Sequence, residues 1–341
     1  MNDGEKSYWR RFAAEARHLG SPLYEGLALA IDDDPELKAL AAQARPGQPH
    51  ANLLFAAVHF LLLRGVQHPL RNFYATTGGT GRGDAFPVFR DFVVAHVDQV
   101  AALVETRVTN TNEAARSCVL RAGFAALAQL EPAPLHMIEI GPSAGLNMIW
   151  DRYGMRYRRA DAVVMEIAPD APLVLECEVR GDVVPPLQPP PVIADRIGLE
   201  LNPVDLSDPD DRDWLRALVW PDQPQRLNRL DRAIALHRSS PPRILNGDAL
   251  ALLPDVLARV PPQAAICVYH TIAVYQFSAA MKVELAAILA AAGQSRPLWH
   301  LSFEFDGTGY ALTLTRHHAG QADRRSLAAA QAHGGWIEWR A

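Results

Sequence analysis

The segment HMIEIGPSAGLN, residues 136–147, carries the clearest structural pattern of the chain. An apolar run at 135–140 leads into Gly141-Pro142-Ser143-Ala144-Gly145, and residues 146–153 then follow a helical pattern. This order predicts a strand, a tight turn and a helix. Glycines at such a turn let the backbone approach a ligand closely, so the turn is the first candidate for a binding site.

The turn fits the pattern of a methyltransferase cofactor loop. Glu139 precedes Gly141, and Gly145 closes the segment. A carboxylate at the end of the strand would hold the charged amino-acid part of S-adenosylmethionine, while the glycines admit the rest of the cofactor. The residues expected to contact the cofactor here are Glu139, Gly141, Pro142, Ser143, Ala144, Gly145 and Asn147.

A dinucleotide loop and a ligand-free turn are two alternatives. The dinucleotide loop needs Gly-x-Gly-x-x-Gly, and Ser143 and Leu146 occupy two of those glycine positions. Each glycine of that motif has a steric task, which disfavours the dinucleotide interpretation. A tight strand-to-helix turn without any ligand is also compatible with Gly141 and Gly145.

A nucleophile elbow is the third alternative, because residues 141–145 also read Gly-x-Ser-x-Gly. Ser143 would be the nucleophile of a serine hydrolase. Its later partners would come from Asp248, His270 and His333. Against this, the upstream glycine-rich loop at 76–84 contains no histidine for an oxyanion segment, and Glu139 would have no task.

Acidic residues lie at or just after the ends of the next two predicted strands. Glu200 lies near the end of the run at 196–201, and Asp248 with Ala249 follows the run at 243–245. Ligands of doubly wound sheets bind at the carboxyl ends of strands. We therefore expect Glu200 to accept the ribose hydroxyls and Asp248 to accept the adenine amino group. The alternatives are a solvated acid at Glu200 and a helix cap at Asp248.

The apolar run at 264–269 ends at His270-Thr271, where the transferred methyl group would lie. Histidine has an unperturbed pKa near neutrality, so His270 is the candidate general base, and Tyr275 lies close behind it. A purely structural histidine is the alternative. No metal is expected, because no three ligands stand at a recognisable spacing.

The chain divides by pattern into a helical part, residues 1–131, and an α/β part, residues 132–341. Alternating strands and helices in the second part predict a doubly wound, mainly parallel sheet. An inserted hairpin is predicted within 160–192. The expected C-terminal elements are strands at 298–305, 310–316 and 336–339, some of them antiparallel, and a helix at 324–332.

Composition limits the partners that can be expected. The 341 residues carry a net charge of −5 and no long basic run, so nothing indicates nucleic acid. The most apolar run, residues 51–63, is shorter than the about 20 residues of a transmembrane helix. The three cysteines are widely spaced and no secretory signal is evident, so we expect a cytoplasmic protein with reduced thiols.

Polar residues at 107–116 precede an apolar helix. Asn112, Glu113 and Arg116 have the spacing of one helix face, and we expect them and the helical part to cover the cofactor pocket as a lid. Such a lid favours a small-molecule acceptor over a polymer. A helix cap with a surface ion pair is the alternative.

Several segments together resemble, over nearly the whole length, a bacterial family of unknown function with a methyltransferase-like core. They are Thr111-Asn112-Glu113 with Arg116, residues 138–147 with Asp151-Arg152-Tyr153, and residues 198–203, 214–221 and 247–249. The resemblance implies a class I methyltransferase-like, Rossmann-type fold behind an all-helical N-terminal extension. It implies no established reaction, and a non-catalytic protein that keeps the fold is the rival class.

The chain departs from the usual methyltransferase pattern at two places. Glu200 stands where an aspartate is also common, which lengthens the arm that reaches the ribose. His270-Thr271 stands where DNA amino-methyltransferases carry Asn/Asp-Pro-Pro-Tyr, so that substrate class is excluded.

Overall fold

The computed structural model describes residues 7–341 and shows two compact units. The first unit holds the described residues up to Thr111 together with Val204–Asp231. The second unit holds Asn112–Pro203 and Arg232–Ala341. Residues 112–131, expected in the helical part, thus belong with the α/β part, since the helix they form packs on the sheet.

The first unit is built from helices, and the second unit combines helices with strands. The α-helices are α1 (Tyr8–His18), α2 (Pro22–Ile31), α3 (Pro35–Ala41), α4 (His50–Leu63), α5 (Phe86–Ala95), α6 (Val97–Thr106), α7 (Arg116–Leu130), α8 (Pro209–Ala217), α9 (Pro224–Ser239), α10 (Ala249–Ala258) and α11 (Ala279–Ala292). The strands are β1 (Leu135–Ile140), β2 (Gly154–Arg159), β3 (Ala162–Ile167), β4 (Val174–Arg180), β5 (Ile193–Glu200), β6 (Arg243–Asn246), β7 (Ala265–Thr271), β8 (Leu298–Phe305), β9 (Tyr310–His318), β10 (Gln321–Ala330) and β11 (Trp336–Trp339). Short 3-10 helices lie at Pro69–Phe73, Ala75–Thr77, Asn147–Arg152 and Val274–Gln276.

The first unit packs around α4. This helix is apolar on nearly every side, and such a helix has to be buried. Its Phe55 stacks on Tyr24 of α2 with ring centroids 4.3 Å apart, at the centre of the unit's hydrophobic core. Within residues 7–341, no helix is both long enough and apolar enough to cross a bilayer.

The second unit is built on one mixed sheet. Its strand order is β3-β2-β4-β11-β10-β9-β8-β7-β1-β5-β6. Parallel pairing joins β6 to β5, β5 to β1, β1 to β7, β7 to β8, β11 to β4 and β4 to β2, while the remaining neighbours pair antiparallel. The expected mixed α/β fold with a mainly parallel sheet and antiparallel C-terminal strands is therefore confirmed.

β1, which leads into the candidate turn, lies between β7 and β5 in the sheet. Its side chains alternate between the two faces of the sheet. Ile138 and Ile140 join a hydrophobic core that includes residues of α10 and α11. On the other face, Phe124 of α7 meets Tyr269 of β7, with ring centroids 5.2 Å apart. Helices cover both faces of the sheet, so that loops lie at the edge where β1, β5, β6 and β7 end.

The C-terminal helix predicted at 324–332 is wrong, because this segment forms most of β10. Alanine-rich segments favour helix locally. Here β10 pairs with β9 on one side and with β11 on the other, and Leu327, Ala328 and Ala330 are buried. Tertiary pairing thus overrides the local preference.

Other local predictions needed smaller corrections. Within 160–192, where an inserted hairpin is predicted, the two strands β3 and β4 do not pair with each other. Each pairs with β2, β3 antiparallel and β4 parallel. The helix predicted at 146–153, after the turn, is a 3-10 helix at Asn147–Arg152.

Candidate functional site

The turn after β1 has a backbone that few residues tolerate. Gly141, Ser143 and Gly145 have φ values of 68°, 57° and 79°. Glycine adopts such values without strain, whereas a serine there is uncommon. A Cβ atom at Gly141 would stand 2.7 Å from Cβ of Ala273, in the loop after β7. The loops that follow β1 and β7 therefore touch, and only glycine permits that contact.

Glu200 ties the end of β5 to this turn. Its Oε2 accepts a hydrogen bond from the Ser143 N–H at 2.8 Å, and its Oε1 accepts one from the Asn202 N–H at 3.0 Å. The Glu200 side chain is buried, with the residue 8% exposed. Each carboxylate oxygen has two lone pairs, so both oxygens retain capacity for a further donor.

Asn112 holds the other end of the turn. Its Oδ1 accepts a hydrogen bond from the Leu146 N–H at 2.8 Å, while the Tyr153 hydroxyl donates to the Leu146 carbonyl at 2.8 Å. Ser117 of α7 donates to Oδ1 of Asn147 at 3.0 Å. Both backbone groups of Leu146 are thus fixed by side chains of the second unit.

Glu139 is the most buried acid of the site, with 1% of the residue exposed. The pKa of Glu139 is raised to about 8, mainly because the side chain is buried. The hydrogen bond from Tyr269 and the charge of Arg116 act to lower this pKa, whereas the negative charge of Glu200 acts to raise it. Neither Oε2 of Glu139 nor Nδ2 of Asn147 has a hydrogen-bond partner within residues 7–341. One orphaned acceptor and one orphaned donor therefore lie beside the turn, which is costly unless a ligand or water satisfies them.

Asp248 lies at the end of β6 as expected, and its Oδ1 accepts from the Leu250 N–H at 2.8 Å. It is therefore the N-cap of α10, and its side chain is exposed at the same time. The N–H of Gly247 donates to the Glu200 carbonyl at 2.9 Å, which joins the ends of β5 and β6. Ala249 begins α10 behind the cap.

Glu113 and Arg116 are buried in the second unit beside Asn112. Glu113 Oε1 accepts from the Ala115 N–H at 3.1 Å, a local cap-like contact. Arg116 donates to the Ala332 carbonyl at 2.9 Å and to the Thr271 carbonyl at 3.3 Å, so it braces the end of β7. Of the three predicted lid residues, Asn112 bonds directly to the turn. The covering role of the helical part itself stays a prediction.

His270 and Tyr275 line one cavity of the second unit. His270 is buried, and its Nδ1 lies 2.7 Å from Oε1 of Glu304 while its Nε2 lies 2.9 Å from Nε2 of His300. Tyr275 is 58% exposed in the short 3-10 helix Val274–Gln276 that follows β7. Both ring nitrogens of His270 are therefore engaged by neighbours, and its assignment as general base of the turn site stays a prediction.

Glu304 and His300 were missed in the sequence. Oε1 of Glu304 also accepts from the backbone N–H groups of Ala273 and Val274, at 2.8 and 2.9 Å. Although burial acts to raise it, these bonds and the one from His270 lower the pKa of Glu304 below its usual value. The available signal was the alternation along β8, which places His300 and Glu304 on one face.

Comparison with known proteins places the chain within one family. A family model described as "Uncharacterized protein conserved in bacteria (DUF2332)" matches residues 6–339. No curated protein and no solved structure matches the chain. The expected bacterial family is confirmed by the extent of the match.

Proposed function

The chain belongs to this bacterial family, DUF2332, and we propose that it is an S-adenosylmethionine-dependent methyltransferase acting on a small-molecule acceptor. The observation that carries the proposal is the hydrogen bond between Glu200 at the end of β5 and Ser143 in the turn after β1. This bond connects the carboxylate that is proposed to bind the ribose with the turn that is proposed to bind the cofactor.

Strand order supports this assignment. β6, β5, β1, β7 and β8 lie side by side, in the order third, second, first, fourth and fifth of the parallel strands. Doubly wound nucleotide-binding sheets share this order, and their ligands lie at the carboxyl ends of the strands where the order reverses. Here the reversal falls between β1 and β7, whose loops meet at Gly141 and Ala273.

The residues at this edge fit the parts of the cofactor. Glu139 Oε2 is an acceptor for the ammonium group, and Asn147 Nδ2 is a donor for the carboxylate of the methionine part. Glu200 has lone pairs left for ribose hydroxyls, and exposed Asp248 has them for the adenine amino group. When bound, the cofactor supplies a methyl group activated on a sulfonium sulfur. The net charge of −5 disfavours nucleic acid as the acceptor.

Calorimetric titration with S-adenosylhomocysteine tests the proposal, and its pH dependence is the first expected result. Glu139 has a pKa of about 8 in the unliganded protein. A ligand ammonium favours the ionised carboxylate, so binding releases a proton and affinity rises with pH up to that pKa. We expect an increase of about tenfold between pH 6.5 and 8.

Glu139→Gln is the matched control for that dependence, since glutamine keeps the shape and does not titrate. It should bind S-adenosylhomocysteine more weakly and with a flat profile over the same pH range. An absence of saturable heat at millimolar ligand for the wild-type chain would refute the cofactor assignment. Formation of S-adenosylhomocysteine from S-adenosylmethionine with a fractionated bacterial metabolite extract separates an enzyme from a non-catalytic binder.

The serine hydrolase alternative is favoured by one observation, the φ of 57° at Ser143, because nucleophile elbows are strained turns. Of its two candidate histidines, His270 and His333, the first is already engaged by Glu304 and His300. We therefore expect a fluorophosphonate probe to leave Ser143 unlabelled, as judged by mass spectrometry, with a known serine esterase as positive control. Labelling that disappears in Ser143→Ala would favour the hydrolase instead.

A further inference from the structure

The cavity that His270 and Tyr275 line has a volume of about 580 Å³ and lies in the second unit, bounded by α11 and by side chains of β7, β8, β9 and β10. We propose that this cavity is a binding site for a small organic anion, carrying a carboxylate or a phosphate group. Its ionisable lining residues, apart from Tyr275, are His270, Lys282, His300, Glu304, His317 and Arg324. The inference does not depend on the proposed cofactor.

The accessible charge of the cavity is positive. Lys282 and Arg324 are exposed at its wall, and neither forms an ion pair with any residue between 7 and 341. Glu304 is the lining carboxylate, and its Oε1 already accepts from His270 and from two backbone N–H groups. Its Oε2 is buried and has no hydrogen-bond partner within residues 7–341. An entering anion therefore meets two exposed, unpaired cations, while the one carboxylate has its Oε1 occupied by three donors and its Oε2 shielded from solvent.

The histidines can add a further positive charge without breaking a hydrogen bond. Glu304 is ionised and accepts, so Nδ1 of His270 carries a proton and donates to it. The 2.9 Å contact between the two Nε2 atoms holds one proton, which either His270 or His300 donates. If His300 takes up a proton, it donates to His270, and His270 still donates to Glu304.

An anion in the cavity would favour that protonation. In the empty cavity, burial and the neighbouring His270 and His317 hold the pKa of His300 well below its usual value. Arg324 acts in the same direction. A bound negative charge opposes all of these effects, so binding should be accompanied by proton uptake from solvent.

The opposite wall is apolar and selects an organic anion over a bare inorganic one. Leu285 and Leu289 of α11 are buried and line the cavity together with Phe305. Ser302, Thr313 and Thr315 supply hydroxyl groups on the sheet side. A ligand with a charged head and a compact apolar body would match both walls.

Calorimetric titration of the full chain with benzoate, phenyl phosphate and inorganic phosphate tests the proposal, with benzamide as the uncharged analogue. At least one of the two aromatic anions should bind, about tenfold or more tightly than benzamide and more tightly than inorganic phosphate. At pH 7.5, the heat of binding measured in Tris should differ from that measured in phosphate-free HEPES, because the buffer supplies the proton that the protein takes up. The sign of the difference should indicate proton uptake, and His300→Gln should remove the difference.

Arg324→Gln should weaken anion binding about fivefold, since it removes one exposed cation of the site. Arg325→Gln is the matched control, because Arg325 is the next residue of β10 and pairs with Asp323 at 3.0 Å. Circular dichroism of each variant checks folding. The proposal is overturned if neither aromatic anion binds at about 10 mM, if benzamide binds equally well, or if the two arginine variants behave alike.

Discussion

Glu200→Gln is expected to weaken S-adenosylhomocysteine binding by about 100-fold and to lower the free energy of unfolding by about 1–3 kcal/mol. The carboxylate offers two oxygens, which accept from the N–H groups of Ser143 and Asn202 at 2.8 and 3.0 Å. Glutamine offers one oxygen, so one of these N–H groups would face an NH₂ group. Ribose hydroxyls would lose a charge-assisted acceptor as well, which accounts for the loss of affinity.

Calorimetry and urea denaturation measure these two effects. Glu176→Gln serves as the matched control, because Glu176 lies exposed on β4 and pairs with Arg156 at 3.1 Å. That surface change should alter stability by less than about 0.5 kcal/mol and leave ligand affinity unchanged. If Glu200→Gln binds S-adenosylhomocysteine as tightly as the wild type, the ribose role of Glu200 is wrong.

Gly141→Ala should lower the free energy of unfolding by about 2–4 kcal/mol and reduce S-adenosylhomocysteine affinity at least tenfold. Two costs combine at this position. The φ of 68° is unfavourable for alanine, and the added Cβ would stand 2.7 Å from Cβ of Ala273. To relieve that contact, the loops after β1 and β7 must separate, and the proposed site lies between them.

Gly307→Ala isolates the conformational cost from the steric one. Gly307 lies in the same unit, in the turn between β8 and β9, with φ of 103° and no heavy atom within 4 Å of an added Cβ. We expect it to cost about 1–2 kcal/mol and to leave ligand binding unchanged. Equal effects of the two alanine variants on stability and binding would contradict the close approach of the two loops.

Patterns local in the sequence predicted the elements that position the candidate site. The apolar run before Gly141 gives β1, and the acids at the ends of later runs, Glu200 and Asp248, lie at the ends of β5 and β6. Short runs bounded by glycine or proline carry this information because a buried parallel strand is apolar throughout and must end at a turn. Strand–helix alternation likewise predicted the mainly parallel sheet.

Features that depend on partners far away in the chain could not be predicted from the sequence. Segment 324–332 reads as a helix by composition and becomes a strand, since β9 and β11 offer hydrogen bonds on both sides. Asn112 reads as a helix cap, yet it accepts from Leu146, 34 residues later. No local pattern encodes such a contact, because its free energy depends on what the folded chain brings alongside.

Local patterns in the sequence were enough to predict the strand–turn–helix order at 135–153, the mixed α/β class and the acids at the carboxyl ends of β1, β5 and β6. The hydrogen bonds from Ser143 to Glu200 and between His270, Glu304 and His300 became visible in the folded chain alone. The two kinds of feature differ because their interactions act over different distances along the chain. Periodicity and turn preference act over a few residues, whereas a buried carboxylate or imidazole takes its role from donors and acceptors on strands that pair only after folding.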